Sequence, residues 1–127
     1  MNLQFLGHAC FLLDDGAHKA LVDPYLTGNP LAAVSADQVE TDMIFVTHGH
    51  YYGVSMDITG VIDEAKDRGC NAVFFGHTHK PLLETIDGVL ALNPGSLTYP
   101  RQRGRRPSYA IVNLDQTGHL TAELKYL

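Results

Sequence analysis

Four of the seven histidines stand in two short clusters, His48 with His50 in "VTHGH" and His77 with His79 in "GHTH". Neutral imidazole is a ready ligand for borderline transition metals, so two His-x-His pairs brought together would grip a cation. The competing reading is loop histidines without a shared ion. Two further candidates lie near the amino end. Asp23 in "LVDPY" is either a carboxylate ligand or an Asp-Pro turn former, and His8 in "LGHAC" is a weaker imidazole candidate. A carboxylate among imidazoles suits a divalent Zn, Mn, Fe or Ni ion better than Ca or Mg. His18 and His119 fall in or beside hairpin turns and read as surface residues.

What must position these groups is legible in the apolar pattern. "MIFVT" (43–47) and "NAVFFG" (71–76) read as buried strands, each ending where a histidine cluster begins. Between them "MDITGVIDEAKDRG" (56–69) reads as a helix. Ile58, Val61, Ile62 and Ala65 repeat at helical spacing, Ser55 or Asp57 can cap the start, and Gly69 can end it. A strand–helix–strand crossover makes its two strands parallel, so both clusters belong at one carboxyl edge, where open α/β sheets keep their sites. Neighbouring strands lie ~4.8 Å apart, within reach of one shared ion.

The same tracing continues. Strand 82–86 leaves that edge and strand 89–93 returns to it, around an Asp87-Gly88 turn. Asn93, Ser96, Arg101 and Arg103 would then lie beside the cation as donors for an anionic substrate. A polar turn and a solvated arginine loop, "RQRGRRP" (101–107), fit equally well. At the amino end, strands 2–6, 9–13 and 18–22 fold through a "DDG" turn, which puts His8 and Asp23 at one edge. Whether that edge is the one carrying His48 depends on how the hairpin docks. The stretch 24–42 reads as loop with at most a helical turn near 36–40, and residues 108–127 as a hairpin about Gln116–Gly118.

With 127 residues the chain makes one domain around one core. A net charge of −5 argues against bulk nucleic-acid binding, and no apolar run is long enough for a membrane span. Two cysteines, Cys10 and Cys70, make no disulfide framework and suit a reducing cytoplasm. The start reads as mature protein, not a signal peptide. The class is α+β or mixed α/β, a two-sheet sandwich with reduced helical layers. So little helix leaves sheet exposed, and a homo-oligomer is expected to cover it.

From about residue 44 onward, "VTHGHYYG", "GCNAVFFGHTHKPL", "IDGVLALNPGSLTYPR" and "PSYAIVNLD" together resemble the compact calcineurin-like metallophosphoesterases. That resemblance implies metal ligation by His48, His77 and His79, and hydrolysis of a phosphodiester by a metal-activated hydroxide. Residues 1–50, with "LGHACFLL", "LVDPYLTGNPLAAVSADQV" and "TDMIFVTHGH", instead resemble a metallo-β-lactamase-fold metal-dependent hydrolase. In that family HxHxDH continues after the second histidine with an Asp and a His, where this chain reads Tyr51-Tyr52-Gly53. The phosphoesterase pattern in turn lacks its D-x-H, bridging Asp and GNHD elements here. The combined pattern implies a chimera joined at "VTHGH", a relative of both four-layer folds, binding a small phosphoester and turning it over weakly. The alternatives are a non-catalytic metal-binding protein and a metallo-β-lactamase-type hydrolase.

Overall fold

The computed structural model describes residues 1–7, 10–22, 30, 32–34 and 44–127, and among these described residues nine strands and one α-helix form. The strands are β1 (Asn2–Gly7), β2 (Cys10–Asp14), β3 (Lys19–Val22), β4 (Ile44–Thr47), β5 (Ala72–Phe75), β6 (Pro81–Ile86), β7 (Val89–Pro94), β8 (Ser108–Leu114) and β9 (Leu120–Tyr126). Helix α1 (Thr59–Asp67) lies between β4 and β5, preceded by a 3-10 turn at His50–Tyr52. Seven strands make one sheet in the order β1-β2-β3-β4-β5-β7-β6, and β8 with β9 make a second.

The crossover rule holds: β4 and β5 pair in parallel, Ile44 opposite Ala72 through Thr47 opposite Phe75. Parallel pairing extends to β3 on one side and β7 on the other. The question left open by the sequence is closed by the hairpin register. Because β2 is antiparallel to both β1 and β3, β1 runs with β3 and hence with β4. So β1 and β3 end at the edge where β4 and β5 end. His8 and Asp23, which follow them, lie outside the described residues, as does the helical turn expected near 36–40.

Helix α1 is held by one apolar stripe. Val61, Ile62 and Ala65 are buried against Phe45, Val73, Phe75 and Ala91, with Ile58 packed alongside. Burial of the valine and isoleucine contributes roughly 1.5–3 kcal/mol each. The helix is shorter than the expected 56–69, because residues 53–57 close turns of their own on the Gly53 carbonyl. The Asp57 carboxylate accepts the Thr59 N–H at 2.8 Å. At the other end, Gly69 N–H donates to Lys66 and Cys70 N–H to Ala65, both at 2.8 Å, which is the paired closure of a Schellman motif.

A smaller cluster of Leu6, Cys10 and Leu21 sits under β1–β3, with Ala32 and Val34 against it. Cys10 and Cys70 are buried in different clusters and are not joined to each other. The large sheet is only partly covered among the described residues: α1 lies on it, the 32–34 segment on β1–β3, and the β8–β9 ribbon meets β7 and β6. Exposed sheet is found at the edge strand β1, where Leu3 and Phe5 face solvent. The fold is mixed α/β, with a large mixed sheet and few helices. No helix among the described residues is long and apolar enough to cross a membrane.

Candidate metal centre

The two histidine clusters meet because two turns are pinned to each other. After β4 the chain turns at Gly49, whose φ of 94° lies in the left-handed region. A Cβ there would come within 3.0 Å of Val54 Cγ2 and 3.3 Å of Phe75 Cβ, so only glycine lets this turn press against β5. Gly76 N–H then donates to the His48 carbonyl at 3.2 Å, carrying the β4–β5 pairing one step past the strands. The outcome is a contact of 3.1 Å between His48 Nε2 and His77 Nδ1. The His50 ring centre lies 5.3 Å from that of His48 and 6.1 Å from that of His77.

Beyond the strand, His77 and His79 both adopt left-handed backbone, at φ 65° and 59°. Such conformations cost of order 1–3 kcal/mol each and persist only where the surroundings enforce them. Here the enforcement is visible. Thr78 N–H donates to Gly76 O at 2.7 Å, and Arg101 N–H to His79 O at 3.0 Å. From the neighbouring strand, Asn93 Nδ2 donates to Gly76 O at 2.9 Å and to Thr78 Oγ1 at 3.0 Å. His79 Nδ1 lies 3.0 Å from the Tyr99 carbonyl, which can only accept, so Nδ1 is the donor in this contact.

The electrostatics favour a neutral ring at His77. Burial, then the positive charges that His48, His50, Arg101 and His79 can carry, hold the His77 pKa below the ordinary imidazole value. A neutral His77 keeps the lone pair a cation needs. Metal–nitrogen bonds of about 2.0–2.1 Å at tetrahedral or octahedral angles place two ligand nitrogens roughly 2.9–3.4 Å apart, and the His48–His77 spacing falls inside that range. These two side chains therefore fit a shared ion. Among the described residues, no three His, Cys, Asp or Glu side chains converge as a ready-made cage. His50 and His79 stand beside the pair without closing on it.

The expected substrate donors separate. Asn93 has no exposed surface, and its amide is fully committed: two hydrogens as above, and Oδ1 accepting the Gly95 N–H at 3.0 Å. It braces the histidine turn and has no donor left for a ligand. Ser96 Oγ accepts the Tyr99 N–H at 2.9 Å. The Arg101 guanidinium lies 5.2 Å from the centre of the Tyr99 ring, on the His77 side of the loop. Arg103 is exposed further along. Thr78, Tyr99 and Lys80 were not anticipated. Thr78 and Lys80 flank His79 in "GHTHK" and could have been read from that string, whereas Tyr99 acts through its carbonyl, which no side-chain pattern reveals.

Gly95 belongs to the same brace. Its φ is +82°, and a Cβ there would overlap the Ser108 hydroxyl, which donates to Pro94 O at 2.9 Å. Left-handed strain and overpacking together predict that Gly95→Ala costs roughly 2–4 kcal/mol, read as a lowered urea midpoint with unchanged slope.

Residues 18–117 match the sequence profile of the calcineurin-like phosphoesterase superfamily domain. A metal-dependent hydrolase of Heliobacterium modesticaldum, of the group named UPF0173, is 50% identical over 60 residues, 46% of this chain and 25% of that protein. A probable metallophosphoesterase of Bacillus subtilis, YsnB, is 42% identical over 72 residues, 57% of this chain and 42% of that protein. Among solved structures, a predicted phosphoesterase of Streptococcus pneumoniae superposes with a TM-score of 0.58 at 18% identity, covering 98% of this chain and 66% of that one. The chain thus spans a quarter to under half the length of these curated relatives. The structural likeness extends over the amino-terminal hairpin too.

Proposed function

The chain belongs to the calcineurin-like phosphoesterase superfamily, and from that premise we propose that it is a metal-dependent phosphoesterase-like protein acting weakly on a small phosphodiester. The observation that carries this reading is the 3.1 Å approach of His48 Nε2 to His77 Nδ1 at the carboxyl edge of the parallel strands. His48 and His77 hold a divalent Zn, Mn, Fe or Ni ion, His79 is the next donor, and His50, His8 or Asp23 completes the set. The relatives named as metal-dependent hydrolases and as a metallophosphoesterase support a metal. When bound, the ion supplies Lewis acidity and a water of lowered pKa.

The chain's own residues do the rest. Arg101 sets a fixed positive charge beside the histidines, where phosphoryl oxygens gather negative charge. The Tyr99 carbonyl keeps His79 in one tautomer. Turnover is weak in this reading because the chain has no GNHD element to place an Asn-His pair on the phosphoryl group.

Elemental analysis of the purified protein, before and after chelator, tests metal binding; an activated phosphodiester assayed beside a lactone and a cephalosporin tests the chemistry. The expected result is a retained transition metal and slow hydrolysis of the phosphodiester alone. Robust lactam hydrolysis, or a metal-free protein of unaltered thermal stability, refutes it.

One observation favours a second reading, a non-catalytic metal-binding chain composed of two hydrolase segments. Relatives with two different names match it over 60 and 72 residues, each about half its length. The superfamily match weighs against it, since residues 18–117 run across the 44–50 region where a join would fall. Stability lost on chelation, with no turnover on any of the three substrates, would select this reading.

A further inference from the structure

Beside the histidine turn lies a cleft of about 410 Å³. Its walls are apolar: Val54, Ile58, Phe75 and Leu82, part of the cluster that buries α1. Its charged lining consists of Lys80 and Arg101, both cationic, with no acidic residue among the lining side chains. Thr78, between the two histidines of the turn, also lines it. The volume is in the range of small-molecule pockets, roughly 300–1,000 Å³. Apolar walls with cationic groups at the histidine end select an anion carried on an apolar body.

The body is further specified by Arg101. Its guanidinium carbon lies over the Tyr99 ring, 5.2 Å from the ring centre. A guanidinium in the cleft wall attracts the face of an aromatic ring, an interaction an aliphatic chain does not make.

We infer that this cleft binds the aromatic group of an aryl phosphoester, seated between Ile58 and Leu82, while Lys80 and Arg101 hold the anionic oxygens at the histidine end. The inference rests on the phosphoester reading for the identity of the anion, and it adds the class of organic group that the protein prefers. Lys80 becomes an anion-binding residue, and Leu82 a determinant of specificity. Neither role requires an ion at the histidines.

The test is therefore made in chelator, with phosphonates that cannot be hydrolysed. Benzylphosphonate, a carbon analogue of phenyl phosphate, and methylphosphonate are titrated against the whole chain by calorimetry. Benzylphosphonate is expected to bind at least ~10-fold more tightly, from apolar surface buried in the cleft. Lys80→Glu, at an exposed position that leaves the core intact, is expected to weaken both ligands ~10-fold while preserving their ratio. Leu82→Asp is expected to erase the ratio, and His77→Ala to leave it unchanged. Equal affinity for the two phosphonates, or binding untouched by Lys80→Glu, overturns the assignment. A protein that prefers benzylphosphonate yet hydrolyses no phosphodiester would retain the cleft and refute the hydrolytic reading instead.

Discussion

His77→Ala is expected to lower affinity for zinc or manganese by about 100-fold. The size follows from what one ligand is worth. Apparent zinc-binding free energies of roughly 10–16 kcal/mol, shared over four ligands, give about 3 kcal/mol for one imidazole. That is ~100-fold in the dissociation constant. His77 is the informative position because it closes to 3.1 Å on His48 of the other cluster, so its loss removes the side-chain contact between the β4 and β5 turns. Stability reports the same event. At a metal concentration ~100 times the dissociation constant, the ion adds about 2.7 kcal/mol to the folded state, and a 100-fold weaker site adds only ~0.4 kcal/mol. Competition against a chromophoric chelator measures the first quantity, and denaturation with and without metal the second. His18→Ala, on the amino-terminal hairpin, serves as the control and should change neither. Equal metal affinity in wild type and His77→Ala would remove His77 from the centre.

The position of that bridge was readable in advance because two rules compound. Apolar runs before His48 and His77, with a helical stretch between, demand a crossover, and crossover handedness leaves only the parallel pairing found for β4 and β5. The rules stop at the strand ends. Where each ring points is decided by left-handed backbone at His77 and His79, and a pattern of residue types carries little information about that. The docking of β1–β3 was open for a similar reason: a hairpin can add to a sheet in either direction until its register is known. Residues 56–58 read as part of the helix from sequence because Ile58 fits the apolar period. The Gly53 carbonyl, bonded by both Met56 and Asp57 N–H groups, sets the helix back to Thr59. Asn93 was the subtlest case. A buried amide and a substrate-binding amide look identical in "NPGS", and only the three bonds it makes distinguish them.

Those three bonds make Asn93→Ala a strongly destabilising substitution. Truncation strands the Gly95 N–H and leaves the Gly76 carbonyl with the Thr78 N–H alone, beside a side chain with no exposed surface, and a buried unsatisfied group costs about 1–3 kcal/mol. With the small cavity added, the loss should be about 3 kcal/mol, read from chemical denaturation. Asn93→Asp separates bonding from packing, since it keeps the shape and the Gly95 acceptor but turns a donor towards Gly76 O into a second acceptor. Protonation would restore one donor, so burial should raise this carboxyl's pKa above its unfolded value of about 3.9. A group whose pKa is raised on folding binds more protons folded than unfolded. Its contribution is full below the unfolded value and is lost as pH rises through the folded one. The deficit of Asn93→Asp relative to wild type should therefore narrow as the pH is lowered toward 4, while that of Asn93→Ala stays constant. Both variants release Gly76 O and Thr78 from the brace that holds His77 and His79 in left-handed backbone. Metal affinity should accordingly fall in each, although neither replaces a ligand. A variant that loses stability but binds metal as wild type does would show that the turn holds its shape without Asn93.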